Sequence, residues 1–180
     1  MFLMLLITDP QFSQLYRKYN KYAYTVCKNV IKEYYSRYYN QEEINDIIQE
    51  TFMNVYVYLT RIDDVWNIKS LIARITELTT IRLMDKYVKY IGAQIPVPDE
   101  HDPIDIIIDN SDLDEIVKKI KKLHPRYSSV MLLKNAHGIS LKDISEMSGI
   151  SYNTILSWHS RGKRLLAMNL DQRKNSVDVK

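Results

Sequence analysis

Residues 138–165 read GISLKDISEMSGISYNTILSWHSRGKRL. Ser140 followed by Asp143 caps a short helix over Leu141–Met147. Ser148-Gly149-Ile150 makes a tight turn. Ser151 then caps a second helix that runs to about Leu170. Ile139, Ile144, Ile150, Ile155 and Leu165 are spaced to pack the two helices together. A short helix, a glycine turn and a second helix opening on small polar residues have helix-turn-helix spacing, which lays the second helix in a DNA major groove. Tyr152, Asn153, Leu156, Ser157, Trp158 and Arg161 are left variously outward. Asn153 suits a bidentate pair with adenine, and Arg161 suits guanine or phosphate. Lys163 and Arg164 suit phosphates. The same pattern also fits an ordinary helical hairpin in a bundle. The caps, the glycine turn and the local charge together favour the DNA-binding form.

Upstream of this stretch, Pro125 opens a helix with Tyr127, Val130, Met131 and Leu133 inward, which His137-Gly138 ends. Asp112 caps another that reaches Leu123. Further back, Pro96, Pro98 and Pro103 stand among acids and mark residues 91–111 as a linker. Its apolar run Ile104–Ile108 reads as a short docking segment. Before the linker lie three amphipathic stretches. Asp9-Pro10 starts a helix to about Tyr35 with a stripe of Phe12, Leu15, Tyr19, Tyr22, Val26 and Val30. Asn40 and Glu43 form a capping box for a helix with Ile44, Ile47 or Ile48, Phe52, Val55 and Leu59 inward. After a loop at 60–67, a third helix uses Ile68, Leu71, Ile72, Ile75, Leu78 and Ile81, with Leu83 and Tyr87 as further candidates. Three such stripes can share one core.

The expectation is therefore an all-α chain of two small helical domains, 1–90 and 112–170, with an acidic linker at 91–111 and a polar tail at 171–180. Composition agrees. Four Gly and five Pro in 180 residues are too few for a sandwich or barrel. The single Cys27 excludes an internal disulfide framework or a cysteine-built zinc site, and fits a reducing cytosol. The apolar start Met1–Ile7 lacks a basic leader and a small-residue cleavage site, so no signal peptide is expected. No stretch is long enough to span a bilayer, so a soluble cytoplasmic protein is expected. His101, His124, His137 and His159 lack metal-ligand spacing, and no phosphate loop or nucleophile elbow occurs. No enzyme activity, metal or cofactor is expected.

Charge is laid out in blocks. Residues 1–90 carry a net +2, residues 91–115 carry eight acids and no Lys or Arg, and residues 116–180 carry a net +9. A basic C-terminal third suggests a polyanion partner, and the acidic strip a tether that avoids or mimics nucleic acid. A solvated surface with a charged linker gives the same numbers. Twelve of the 14 tyrosines precede residue 91, mostly at helical spacing, and so read as core edges before they read as base-stacking platforms.

Leu123-His124-Pro125-Arg126-Tyr127, Gly138-Ile139-Ser140, Asp143-Ile144, Gly149-Ile150-Ser151, Thr154-Ile155, Ser157 and Arg161-Gly162-Lys163-Arg164-Leu165 resemble region 4 of the bacterial sigma-70 family, most closely its small extracytoplasmic-function (ECF) type. Independently, Asp46-Ile47-Ile48-Gln49-Glu50-Thr51-Phe52 resembles the D-L-V-Q-E-T-F segment of region 2, and Ile72-Ala73-Arg74-Ile75 falls where the family has L-x-R-I. The resemblance covers about residues 10–170. It implies an alternative sigma factor that binds core RNA polymerase, at the β′ clamp helices and the β flap, and opens promoter DNA. Asp46, Gln49 and Glu50 would contact the clamp, with Phe52 anchoring the helix in the core. Trp66, Lys69, Arg74, Arg82 and Lys86 would work at the −10 element. Ser151, Tyr152, Asn153, Thr154, Ser157, Trp158, Arg161, Lys163 and Arg164 would form the −35 face. The linker would thread near the RNA exit path, and an anti-sigma protein is a further partner in such a scheme.

The chain departs from the family pattern at several positions. Glu77 and Asp85 stand where many members have Arg, which lowers the positive field for melting. Leu156, Trp158 and His159 replace the common Lys, Arg and Leu. Either Leu156 or Trp158 reads a thymine methyl, or Trp158 is buried and the −35 contact is weak. Gly162 lowers helix stability by roughly 1 kcal/mol against Ala, though Gly is usual there in the family. The alternative function is a helix-turn-helix regulator that does not bind polymerase; it leaves the Asp46–Phe52 segment unexplained.

Overall fold

The structure, a computed structural model, describes residues 8–35, 41–62, 67–92 and 113–177. These residues form α1 (Pro10–Tyr34), α2 (Gln41–Leu59), α3 (Ile68–Tyr90), α4 (Leu113–Lys121), α5 (Pro125–Asn135), α6 (Leu141–Ser148) and α7 (Tyr152–Val177). The expected cap Asn40, Trp66, the linker from residue 93 on with Ile104–Ile108, and the expected cap Asp112 lie outside the described residues. Among the described residues no helix is long and apolar enough to cross a membrane.

Asp9 starts α1 as the sequence predicts. Its Oδ1 accepts the Gln11 and Phe12 backbone N–H groups at 2.9 and 3.0 Å, with Pro10 at the first helical position. The Tyr56 hydroxyl donates to the other carboxylate oxygen, so the cap also ties α1 to the end of α2. The inward stripe differs from the expected one. Phe12, Ala23, Cys27, Val30 and Ile31 are buried, whereas Tyr22 and Val26 are only half-buried. Small Ala23 and Cys27 let neighbouring backbones approach, while the Tyr22 ring stays at the rim beneath the Lys69 ammonium, 4.7 Å from its centroid. The tyrosines Tyr16, Tyr19, Tyr24, Tyr34, Tyr56, Tyr58 and Tyr87 do pack at the core edge.

On α2 the expected stripe is buried from Ile44 to Val55, with both Ile47 and Ile48 inside, while Leu59 at the helix end is half-buried. Asn67 starts α3 from a left-handed backbone (φ 65°), its side chain accepting the Ser70 N–H at 3.0 Å. Along α3, burial extends well beyond the predicted stripe to Ala73, Thr76, Thr79, Thr80, Met84 and Val88. A helix buried on nearly all sides lies at the centre of a bundle. Here α1 and α2 cover one side and α5 and α6 the other. Thr76 and Thr80 satisfy their buried hydroxyls by donating to the carbonyls of Ile72 and Thr76, both at 2.7 Å.

The helices on either side of the linker therefore pack against each other. One buried cluster joins Phe12, Phe52, Leu78 and Ile81 to Val130, Leu133, Ile144 and Ile155. A smaller one joins Ile120, Leu123, Tyr127, Met131 and Leu132 to Leu166. Helix α4 ends at Lys121, short of Leu123, and α7 continues to Val177 where a polar tail was expected from 171. The tight fit of α7 on α5 accounts for Gly162: a β-carbon there would lie 2.6 Å from the Met131 sulfur and 3.2 Å from Tyr127 Cβ. Close approach outweighs the helix propensity that alanine would supply.

Candidate nucleic-acid interface

The C-terminal helix pair forms by the devices its sequence encodes. Ser140 Oγ accepts the Asp143 N–H at 3.0 Å and starts α6. Gly149 takes a left-handed turn (φ 67°). Ser151 Oγ accepts the Thr154 N–H at 3.2 Å and starts α7. Two further bonds brace the turn: Ser145 donates to the Ile150 carbonyl at 2.6 Å, and Ser148 to the Ile144 carbonyl at 2.7 Å. Ile139, Ile144, Ile150 and Ile155 are buried between the helices, and Leu165 is half-buried.

The first turns of α7 present Ser151, Tyr152, Asn153 and Leu156 to solvent. Thr154, Ser157, Arg161 and Lys163 are half-buried. Two expected DNA contacts are packed against the rest of the chain. Arg164 is only 9% exposed, and its Nε is buried without a hydrogen-bond partner. Trp158 packs against both apolar clusters, with the Arg126 guanidinium 5.7 Å from its ring centroid. Trp158 is half-buried, closer to the buried of its two readings. Leu156 is 42% exposed.

On α2, Asp46 and Gln49 are exposed, and Glu50 is half-buried and paired with Arg82. The opposite face, Ile47, Ile48, Thr51 and Phe52, is sealed in the core. On α3, Lys69 and Lys86 are exposed. Arg74 and Arg82 are not open. Arg74 Nη1 pairs with Glu77 at 2.6 Å, and Arg82 Nε donates to the Ser148 carbonyl at 2.9 Å while its Nη2 holds Glu50.

The sequence reading missed the polar seam between α3 and the C-terminal helices. Arg126 Nη2 reaches both oxygens of Asp85 at 2.8 Å, and the Tyr35 hydroxyl donates to Asp85 Oδ1 at 2.7 Å. Ser129 donates to Glu77, and His137 Nε2 meets Ser70 Oγ at 3.0 Å. Burial pushes the Glu77 carboxyl above the usual carboxylate range, against the opposing pull of Arg74 and Ser129. Acids at 77 and 85, in a stretch otherwise rich in apolar and basic residues, were the available signal.

His124 caps α5: its Nδ1 accepts the Arg126 N–H at 3.2 Å, and its ring lies 4.2 Å from that of Tyr34. Burial, then the nearby Arg126 charge, depresses its pKa from 6.5 to about 4. Below pH 6.5 the unfolded chain binds a proton that the folded one refuses. Stability is therefore lost as pH falls from about 6.5 towards about 4, and is unaffected by this group above that window. The urea midpoint of the wild-type chain is expected to drop between pH 7 and pH 5. It should drop less in His124→Asn, which keeps a capping acceptor without the titration. Equal drops would assign the acid sensitivity to other groups.

Residues 113–166 match the family described as Sigma-70, region 4. RNA polymerase sigma factor SigZ of Bacillus subtilis is 32% identical over 153 residues, covering 78% of this chain and 81% of the relative. ECF RNA polymerase sigma factor SigW of the same organism is 27% identical over 172 residues, covering 88% of each. A solved structure of the sigma factor RpoE in complex with the anti-sigma factor NepR from Bartonella quintana aligns with 86% of this chain and 95% of its own, at 20% identity and a TM-score of 0.35. With a region 4 match across the helix-turn-helix, and a relative above 30% identity covering 78% of the chain, the chain belongs to the sigma-70 family of RNA polymerase sigma factors, among its ECF-like members.

Proposed function

We propose that this sigma factor binds core RNA polymerase and directs it to promoters that it recognises and opens, acting in the cytoplasm without catalytic chemistry of its own. The observation that carries the reading is the two-faced α2: Asp46 and Gln49 stand in solvent beside Glu50, on a helix whose other face is fully buried. A rigidly seated helix with an acidic polar face suits charge-assisted hydrogen bonds to basic residues of a clamp helix. The exposed Ser151, Tyr152, Asn153 and Leu156 suit a −35 duplex, with Thr154, Ser157, Arg161 and Lys163 beside them and Arg164 and Trp158 supporting the helix from within. Lys69, Lys86, Arg74 and Arg82 are assigned to the −10 element together with Trp66; single-strand capture there must offset the several kcal/mol that melting requires. An anti-sigma protein covering these faces is a candidate partner.

Run-off transcription with core polymerase on genomic fragments tests the reading. Discrete start sites preceded by two dissimilar boxes are expected. A chain that binds palindromic duplex and yields no transcript with core polymerase would instead be a regulator of the helix-turn-helix type.

A further inference from the structure

The first turns of α2 and the last turns of α3 leave a groove between them, a cavity of about 260 Å³. That is below the roughly 300–1,000 Å³ of a pocket that encloses a drug-sized molecule, and is on the scale of a side chain. Its floor is apolar: Ile47 and Met84 are buried, and Leu83 and Tyr87 are half-buried. One wall is acidic. Glu43 and Asp46 stand three residues apart on the same face of α2. Glu43 Oε2 is buried and has no hydrogen-bond partner. Buried acceptors ordinarily have one. Burial, then the Asp46 charge beside it, raises the Glu43 carboxyl above its usual range. Lys86 and Tyr90 stand at the open rim, both exposed. Two carboxylates against one ammonium leave the groove acidic on balance.

We infer that this groove seats one arginine side chain of core RNA polymerase, its methylenes on Leu83, Met84 and Tyr87 and its guanidinium between Glu43 and Asp46. The polymerase contact then extends from the exposed face of α2 onto the end of α3, and Glu43 joins it as the residue that selects arginine. Charge complementarity chooses the occupant. An apolar floor takes the stem of a long basic side chain, and an acid pair takes its head. Arginine fits better than lysine because its planar fork reaches two carboxylates at once, supplies the donor that Glu43 Oε2 lacks, and lies flat on the tyrosine rings. The chain's own linker suits the groove poorly: residues 91–115 carry eight acids and no Lys or Arg, so like charges meet at the acidic wall. The identity of the partner rests on α2 being the polymerase-binding helix; the preference of the groove for a guanidinium does not.

The test uses the full chain in two settings. Alone, it is titrated with N-acetyl-arginine amide and followed by methyl NMR at Ile47, Leu83 and Met84. Saturable shifts at these methyls are expected, weaker with N-acetyl-lysine amide, and about tenfold weaker in Glu43→Gln, which keeps the size of the side chain and removes its charge. No shift, equal binding of the two amides, or unchanged binding in Glu43→Gln overturns the guanidinium site. With core polymerase, Glu43→Gln is expected to weaken the complex by about tenfold. The photo-crosslinker p-benzoylphenylalanine in place of Tyr90, whose side chain is 88% exposed, is expected to join the chain to a core polymerase subunit. A crosslink to residues 93–112 of the same chain, to a second copy or to promoter DNA gives the groove another occupant and overturns the proposal. So does a Glu43→Gln chain that binds core like the wild type while the alanine variant of Asp46, Gln49 and Glu50 does not; the functional reading then stands without the groove. Failure of the wild-type chain to bind core refutes the functional reading instead, and the titration of the lone chain still decides the guanidinium site.

Discussion

Replacing Asp46, Gln49 and Glu50 together by alanine is expected to abolish binding to core RNA polymerase while the chain stays folded. Asp46 and Gln49 lie in solvent, and Glu50 is half-buried with its carboxylate on Arg82. Hydrogen bonds to charged groups contribute about 1.5–3 kcal/mol each. Losing three such positions weakens the complex by on the order of a thousandfold or more. Stability changes modestly: Asp46 and Gln49 are surface substitutions, usually within about 0.5 kcal/mol, and loss of the half-buried Glu50–Arg82 pair adds on the order of 1 kcal/mol. Fluorescence anisotropy of labelled chain against core polymerase, paired with a thermal melt, measures both. Wild-type affinity in the folded triple variant would remove α2 from the polymerase contact.

Phe52 stands two residues beyond Glu50 and is expected to show the reverse pattern. Its ring is fully buried, edge-on to Tyr16 with centroids 5.0 Å apart. Phe52→Ala is expected to destabilise the fold by about 3–5 kcal/mol through lost burial and the cavity left behind. The aromatic pair accounts for about 0.5–1.5 kcal/mol of that. Against a typical total of about 5–15 kcal/mol this approaches collapse. Urea unfolding with an unchanged slope measures it. A loss below about 1 kcal/mol would mean that α2 is not anchored through this ring. Together the two variants separate the faces of one seven-residue motif, one facing the partner and one the core.

Those faces were legible because an α-helix assigns faces by spacing alone. Ile44, Ile47, Phe52 and Val55 recur at helical steps, and Asp46 and Gln49 fall between them. The caps were legible for a similar reason. Asp9, Ser140 and Ser151 hydrogen-bond within three residues of themselves, so no distant group is needed to place them. The stripe of α1 was misread because tyrosine serves equally at a core edge or on a rim. Tyr22 lies on the rim since Ala23 and Cys27, being small, admit the neighbouring helix. Among the DNA candidates, Arg164 and Trp158 were drawn outward by residue type; Arg164 is buried, and the cluster that Trp158 packs against is built largely from residues tens of positions upstream.

Helix limits, the turn at Gly149, the two-faced α2 and membership of a helical class follow from short-range rules that act within a turn or two of the chain, and any reader of the residues can apply them. The closure of α5 and α6 over α3 does not follow from such rules. Its contacts, Asp85 to Arg126 and Arg82 to Ser148, join positions 41 and 66 residues apart. A charge in a sequence carries no mark of the partner that will neutralise it; folding brings the two together, and in doing so gives Asp85 and Glu77, two acids that depart from the family pattern, Arg126 and Ser129 of α5 as partners.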